Sequence, residues 1–287
     1  ESRSMSELVA IPDSALREKR RVLIGLPWYR AAHPLTTVAL LNLFQKDCMG
    51  VSISFGDAFI VHARNKLATK FLASKFDWML MLDDDTVPPC GNAEWFNEST
   101  GLKLPAWAAG LNAIDRLVSH GKTLVGATYF GRSPGRPPIF AEGIQHKDRL
   151  LASGPVDQVN PTKWVGTGCF LVHRSALTAI EERFPLLSRD KNNGTGQWFT
   201  SSEHDLHDSV ARAIAALEPT PGVVNAGAEK AAIRILKDGL LRASVHSSLG
   251  MGEDVQFCVR AAQSGHQPYV DLGLWAAHIG DAVYPLR

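Results

Sequence analysis

The spacing of apolar and polar residues predicts a regular alternation of strands and helices in the first half of the chain. Short apolar runs and two-residue alternation predict strands at residues 22–26, 51–54, 78–82 and 123–128. Apolar residues at helical spacing predict helices at residues 35–46, 57–74 and 105–120. We expect the first strand to end at Pro27 and Asp57 to be the N-cap of the second helix.

This order of elements predicts an α/β fold with a doubly wound, largely parallel sheet, because each strand is followed by a helix. In such sheets ligands bind just outside the carboxyl ends of the strands. Three segments stand at these ends in the sequence: residues 27–30, 56–57 and 83–85. We therefore expect the chemistry of the protein to be concentrated there.

The second half of the chain is less regular. Residues 131–138 are rich in glycine, proline and arginine and predict a loop. Further elements are predicted as strands at 156–160, 163–173 and 268–271, and as helices beginning near 206, 232 and 253. We interpret residues 1–20 as an N-terminal tail, in which Met5 is a candidate natural start. Residues 21–287 are interpreted as one domain with a helical insert at 187–247.

Composition narrows the class of protein. Hydrophobic residues make up 45 % of the chain and charged residues 21 %, which excludes disorder for most of it. The net charge of +1 argues against a surface built wholly for nucleic acid. The four cysteines include no CxxC pair, which excludes a zinc framework of that type. No apolar stretch approaches a membrane span or a signal core, so we expect a soluble, cytoplasmic protein.

Three consecutive acids, Asp83, Asp84 and Asp85, follow the strongest predicted strand. Neighbouring carboxylates repel each other by roughly 1 kcal/mol per pair at about 4 Å in water, and a divalent cation such as Mn²⁺ or Mg²⁺ is the usual agent that offsets this. On an extended chain Asp83 and Asp85 point to the same side and Asp84 to the other. The alternative is a solvated turn whose acids cap a helix.

A strand ending in three acids resembles the D-x-D motif of glycosyltransferases with the GT-A fold. Other segments agree with this family in order along the chain: Pro27-Trp28-Tyr29, Ala63-Arg64-Asn65, Gly166-Thr167-Gly168, Gly250-Met251-Gly252-Glu253-Asp254 and His278. The resemblance covers about residues 21–186 and 248–281 and is strongest to family-2-like and galactosyltransferase-like members. It implies a Rossmann-like sheet with an acceptor-side subregion.

The resemblance also implies roles for individual residues. The implied metal ligands are Asp85, Asp83 and His278, around Mn²⁺ or Mg²⁺ that bridges a diphosphate. The implied donor-binding residues are Pro27, Trp28 and Tyr29 at the base, with Asp84 as a helper. Asp83 would face the nucleotide ribose or the metal-bound water, and Arg64 would reach the nucleotide or buttress the acid cluster. Asp254 would be the general base and Glu253 would position donor or acceptor. Each has a purely structural alternative: helix-dipole acids at 253–254, a core histidine at 278, a surface arginine at 64, and packing at 28–29.

The implied activity is transfer of a hexosyl group from a nucleotide sugar, with a UDP-sugar favoured, to an acceptor hydroxyl. Inversion is favoured over retention. The alternatives are a nucleotidyltransferase and a non-catalytic nucleotide-sugar-binding module. One candidate acceptor is a hydroxymethylated base in DNA, as for bacteriophage DNA-modifying glycosyltransferases. A basic rim for DNA would be formed by Arg132, Arg136, Lys147, Arg149 and Lys163.

Overall fold

The computed structural model divides the chain into two compact units, Glu1–Trp198 with Cys258–Arg287, and Phe199–Phe257. The structure describes residues 21–29, 31–44, 49–101, 103–104, 106–129, 159–184, 196–200, 231–234, 236, 252–280 and 283–284. Among the predicted segments, the N-terminal tail at 1–20, the loop at 131–138 and the helix beginning near 206 lie outside these residues.

The strands, in chain order, are β1 (Val22–Trp28), β2 (Met49–Phe55), β3 (Trp78–Leu82), β4 (Thr86–Val87), β5 (Leu124–Thr128), β6 (Val159–Pro161), β7 (Cys169–His173), β8 (Tyr269–Trp275), β9 (Ala277–Ile279) and β10 (Val283–Tyr284). The helices are α1 (Pro34–Leu43), α2 (Ile60–Leu72), α3 (Ala93–Thr100), α4 (Ala113–Ser119), α5 (Arg174–Arg183) and α6 (Glu253–Gln263), with a 3₁₀ turn at Ala106–Ala108. Within the described residues, none of these helices combines the length and the apolar character that crossing a bilayer requires.

Among the described residues, seven strands form one sheet in the order β2-β1-β3-β7-β5-β8-β6. The pairs β1/β2, β1/β3 and β5/β8 are parallel, whereas β3/β7, β5/β7 and β6/β8 are antiparallel. The α/β class is confirmed, but the expectation of a largely parallel sheet is wrong. The chain enters β7 beside the end of β3, where the Asp83 N–H donates to the Gly168 carbonyl over 3.0 Å, so β7 has to run back along β3. A second sheet has the order β10-β9-β4.

Strand β3 is an interior strand of the larger sheet, between β1 and β7. Trp78, Leu80 and Leu82 belong to the hydrophobic core that includes residues of α1. On the opposite face, Met79 lies close to Leu67 of α2, since both would contact a side chain placed at Gly25. Both faces of β3 are thus covered, as expected for an uninterrupted apolar run.

We had expected strand β1 to end at Pro27, but it continues to Trp28. Pairing with β3 stops at Gly25, whereas pairing with β2 continues through Trp28. The Trp28 carbonyl accepts the Gly56 N–H on the β2 side. Successive residues of a strand direct their backbone groups to opposite sides, so the backbone of Pro27 faces the β3 side, where pairing has already ended. The missing N–H of Pro27 therefore costs no hydrogen bond between strands.

Asp57 is not the N-cap of α2; Phe59 holds that position without a side-chain cap. The Asp57 carboxylate instead accepts a hydrogen bond from Lys66 Nζ over 3.1 Å and contacts His62 Nδ1 at 3.0 Å. Burial opposes the charge of this carboxyl group, but the two basic partners outweigh burial and lower its pKa. Asp57 therefore braces the first turns of α2 through side chains.

We expect the stability of the protein to fall between pH 6.5 and 4 because of His173. This residue is the N-cap of α5, accepting the Ser175 N–H, and its ring meets Trp78 edge-on at 4.6 Å. Burial lowers its pKa from 6.5 to about 4, although Asp77 opposes the shift. Within this window the unfolded chain binds a proton that the folded chain excludes, so folding loses free energy as pH decreases.

Urea unfolding of a His173→Asn variant measures this contribution. Asparagine keeps a cap acceptor but has no titrating ring. Between pH 7 and pH 4.5 the variant is expected to lose about 2 kcal/mol less stability than the parent. His33→Asn, at the exposed histidine N-cap of α1, controls for the capping change itself. Parallel pH profiles for His173→Asn and the parent would refute the prediction.

Candidate functional site

The backbone of the acid triplet is held by three segments that are distant in sequence. Its hydrogen bonds join the Asp83 N–H to the Gly168 carbonyl (3.0 Å), the His33 N–H to the Asp84 carbonyl (2.9 Å) and the Ile279 N–H to the Asp85 carbonyl (2.7 Å). The first lies at the start of β7, the second before α1 and the third in β9. The carboxyl end of β3 is therefore a junction of both sheets, and the acids follow a fixed path across it.

The Asp83 carboxylate is bound by Arg64 from the middle of α2. Arg64 Nη2 donates to both carboxylate oxygens, over 2.9 and 3.0 Å. Arg64 is 3 % exposed, so it is not the surface residue that the alternative interpretation assumed. Its charge offsets part of the repulsion among the acids, which agrees with the expectation that Arg64 would either reach the nucleotide or buttress the acid cluster.

The Asp85 carboxylate lies next to His278. Strand β9 pairs with β4 in the register Thr86↔His278, which places the His278 ring beside Asp85 with Nε2 3.4 Å from Oδ1. His278 is 7 % exposed. Sequence reasoning proposed His278 only from its late position, and the small sheet supplies the physical reason for the contact.

These residues give a partial fit to a divalent cation. Within the described part of the chain, no three His, Cys, Asp or Glu side chains form a group that could hold a metal ion. Two ligands that are each about 2.1 Å from one ion lie about 3.0–3.4 Å apart, which matches the separation of Asp85 Oδ1 and His278 Nε2. Mg²⁺-type ions often take one or two protein ligands and complete their shell with phosphate oxygens and water. The pair fits such a shared site, and Asp83 is already engaged by Arg64.

Tyr129 is a site residue that the sequence reasoning missed. It directly follows β5 and is 5 % exposed. Its ring meets the His278 ring edge-on at 5.5 Å, and its hydroxyl oxygen accepts the Gly168 N–H over 2.9 Å. The available signal was its position at the carboxyl end of a buried strand that is parallel to β8.

Gly168 has little room for a side chain. A Cβ atom there would lie 3.1 Å from both the Thr86 and the Tyr129 hydroxyl oxygens. Close packing beneath the acids therefore explains why a glycine occupies position 168, the last residue of the Gly166-Thr167-Gly168 segment.

Cys169, the next residue, is an unsuitable nucleophile. It pairs with Leu82 directly below the acids and is fully buried. Burial, and secondarily the charge of Asp83, raise the pKa of its thiol to about 12. Because the thiolate is the reactive form, thiol-based catalysis is disfavoured at this position.

Pro27, Trp28 and Tyr29 lie at the carboxyl end of β1, on the same edge as the acids because β1 and β3 are parallel. Trp28 packs against the hydrophobic core, and its buried indole N–H has no hydrogen-bond partner among the described residues. The Tyr29 side chain is 55 % exposed. Tyr29 thus offers an open aromatic surface at this edge, whereas Trp28 has a large packing role.

Glu253 and Asp254 belong to the other compact unit and are described with it. They form the first turn of α6, and both are half-buried. Asp254 Oδ1 accepts the Val255 N–H over 2.8 Å. In the same unit the Phe199 and Phe257 rings stack at 4.3 Å. Carboxylates in the first turn of a helix interact favourably with the helix dipole. The position of these two acids therefore also agrees with the alternative in which they only stabilise the start of α6.

Most of the basic rim considered for DNA lies outside the described residues, namely Arg132, Arg136, Lys147 and Arg149. Lys163 is described and exposed. Of the interpreted insert at 187–247, residues 231–234 are helical. The rim and the insert therefore stay predictions.

Comparison with known proteins adds little to this site. No protein-family model matches the chain, and no curated protein matches it. Among solved structures it is similar to the crystal structure of A197 from STIV, with 14 % identity, a TM-score of 0.42, and coverage of 91 % of this chain and 86 % of that chain. At this TM-score the likeness carries no argument about fold or activity.

Proposed function

We propose that this chain is a metal-dependent glycosyltransferase of the GT-A type that transfers a hexosyl group from a nucleotide sugar to an acceptor hydroxyl. The observation that carries the proposal is the paired acid site at the end of β3. There Asp83 is bound by Arg64, and Asp85 lies 3.4 Å from His278. A UDP-sugar is the favoured donor, and inversion is the favoured stereochemistry.

Asp83 and Asp85 have different partners, and this difference supports the assignment. Arg64 fixes the Asp83 carboxylate, which leaves a rigid acceptor for a ribose hydroxyl or a bound water. Asp85 and His278 would hold Mn²⁺ or Mg²⁺, which stabilises the negative charge that grows on a departing diphosphate. Tyr29 offers an exposed ring on which a base can stack. Asp84, whose carbonyl is held by His33, helps to fix the path of the acids.

The transfer step needs a proton acceptor. Asp254 would take the proton of the acceptor hydroxyl as its oxygen bonds to the anomeric carbon. The bond from that carbon to the diphosphate oxygen breaks, and the diphosphate leaves with the bonding electrons. Direct displacement of this kind inverts the anomeric centre. Glu253, on the adjacent face of α6, would position donor or acceptor.

Incubation with a panel of nucleotide sugars and Mn²⁺, scored for released nucleoside diphosphate, tests the activity. Release is expected from one donor or a few and is expected to stop after chelation. Asp85→Asn should lower release by about a hundredfold or more, because it removes a charged ligand. The exposed Glu94→Gln, in the first turn of α3, is the matched control and should leave release unchanged.

Two results would contradict the proposal. Full release after exhaustive chelation would exclude the metal requirement. In a parallel incubation with a nucleoside triphosphate and a sugar 1-phosphate, formation of a nucleotide sugar with release of pyrophosphate would favour a nucleotidyltransferase. Including DNA with hydroxymethylated bases among the acceptors tests the DNA acceptor directly, through transfer of labelled sugar to the DNA.

A further inference from the structure

We propose that Tyr129 is a positioning residue that orients His278 toward the cation shared with Asp85. The inference rests on the proposed function, because it concerns the same metal site. It assigns a role to a residue that touches neither the proposed cation nor the donor. Tyr129 acts through the His278 ring on one side and through the Gly168 backbone on the other.

The backbone of His278 is already fixed by the small sheet. It pairs with Thr86 of β4 on one side and with Tyr284 of β10 on the other. The next residue, Ile279, donates its N–H to the Asp85 carbonyl. What the sheet leaves undetermined is rotation of the imidazole ring about its side-chain bonds, which decides whether Nε2 faces Asp85.

Tyr129 contributes to that restriction. Its ring stands at 82° to the imidazole with centroids 5.5 Å apart, an edge-to-face contact that favours one ring orientation. Orienting partners of this kind commonly set how well a histidine binds a metal.

Tyr129 itself is held at its far end. The Gly168 N–H donates to its hydroxyl oxygen over 2.9 Å, and the Gly168 carbonyl accepts the Asp83 N–H. A Cβ atom at residue 168 would lie 3.1 Å from the Tyr129 hydroxyl oxygen, so glycine at this position favours the close contact with the phenol. Tyr129 thus links the backbone of Asp83, through Gly168, to the His278 ring that lies beside Asp85.

Two substitutions separate the two contacts. Tyr129→Phe keeps the ring and removes the hydroxyl, whereas Tyr129→Leu also removes the aromatic edge. Tyr269→Phe is the matched control, because Tyr269 pairs with Val125 near the opposite end of β5. Binding of Mn²⁺ in the presence of uridine diphosphate is measured by electron paramagnetic resonance. The nitrogen coupling of the bound ion reports histidine ligation. Thermal unfolding of each variant is measured in parallel to detect a loss of stability.

The parent is expected to show nitrogen coupling that His278→Ala abolishes. Tyr129→Leu should weaken Mn²⁺ binding roughly tenfold and reduce the nitrogen coupling at temperatures where the protein is fully folded. Tyr129→Phe should lie between Tyr129→Leu and the parent, and Tyr269→Phe should match the parent. A purely structural role for Tyr129 would lower the melting temperature without changing the coupling.

The failures are distinguishable. If Tyr129→Leu keeps the parent's affinity and coupling, the positioning role is wrong while the metal site stands. If the parent shows no nitrogen coupling and Asp85→Asn leaves Mn²⁺ binding unchanged, the metal site is wrong, and both this inference and the metal-dependent function are overturned.

Discussion

Replacing Asp254 with asparagine is expected to lower hexosyl transfer by about 10²–10⁴-fold, the usual contribution of a general base. Asparagine keeps the shape of the side chain and an oxygen that can accept the Val255 N–H, but it cannot take a proton from the acceptor. Donor binding should survive, because the proposed donor contacts lie at residues 27–29, 64 and 83–85. Single-turnover transfer and equilibrium donor binding, measured on the same preparation, separate these two effects.

Glu253→Gln is the matched control for this experiment. Adjacent residues on a helix point about 100° apart, so Glu253 and Asp254 cannot share one role. We expect the Glu253→Gln variant to lose less activity and to lose it mainly through binding. An inactive Glu253→Gln beside an active Asp254→Asn would move the base by one residue. If both variants stay active, the acids serve only the start of α6, and the inverting mechanism loses its support.

Replacing Asp271 with asparagine is expected to destabilise the first unit by about 3–5 kcal/mol, since it leaves a buried arginine without its counter-charge. Asp271 is fully buried in β8 and accepts hydrogen bonds from Arg116 Nη2 (2.8 Å) and from the Gly273 and Leu274 N–H groups (2.8 and 3.1 Å). His120 Nε2 lies 2.7 Å from its other oxygen. The carboxylate thus joins α4 to β8. Urea unfolding at pH 7 measures the loss.

The pH dependence of this contribution has a definite sign. Burial alone would raise the pKa of Asp271, but His120 and Arg116 outweigh it and lower the pKa below 3.8. The stabilisation is therefore fully present above about pH 4 and is lost as pH falls through the folded-state pKa. Asp77→Asn removes the partner of the more exposed Arg21 and should cost much less, because solvent screens an exposed ion pair. Equal losses for the two variants would contradict the ranking by burial.

The sequence correctly predicted the bounds of an element where the local pattern was strong. The run Trp78–Leu82 is β3 with the predicted bounds, and α6 begins at Glu253 as expected. Both are set by interactions within a few residues: an uninterrupted apolar run in the strand, and helical spacing after a glycine in the helix.

Side-chain faces and strand directions were harder to predict. Alternation at residues 51–54 identified β2 but not its orientation, and Val51 and Ile53 are 42 % and 45 % exposed at the edge of the sheet. Similarly, no local signal shows that β7 enters the sheet in reverse. These properties depend on which elements cover each face, and the covering elements are distant in sequence.

The sequence proposed individual residues of the candidate site but not their arrangement. The family resemblance implied that Asp85 and His278 share a metal ion, whereas the pairing of β4 with β9 explains why the two side chains lie together. Tyr129 was missed because it carries no motif. Its importance arises from contacts with Gly168 and His278, which are far from it in the chain.

The way the acid triplet is anchored has a consequence during synthesis of the protein. Arg64 and His33 leave the ribosome before the acids, whereas Gly168 and then His278 follow long after. At about 5–20 residues per second, the interval from Asp85 to His278 is roughly 10–40 s. Through that interval Arg64 is available to pair with Asp83, whereas β9, which carries the His278 partner of Asp85, has not yet been made. The proposed cation pair, Asp85 and His278, is therefore complete only after β9 has emerged.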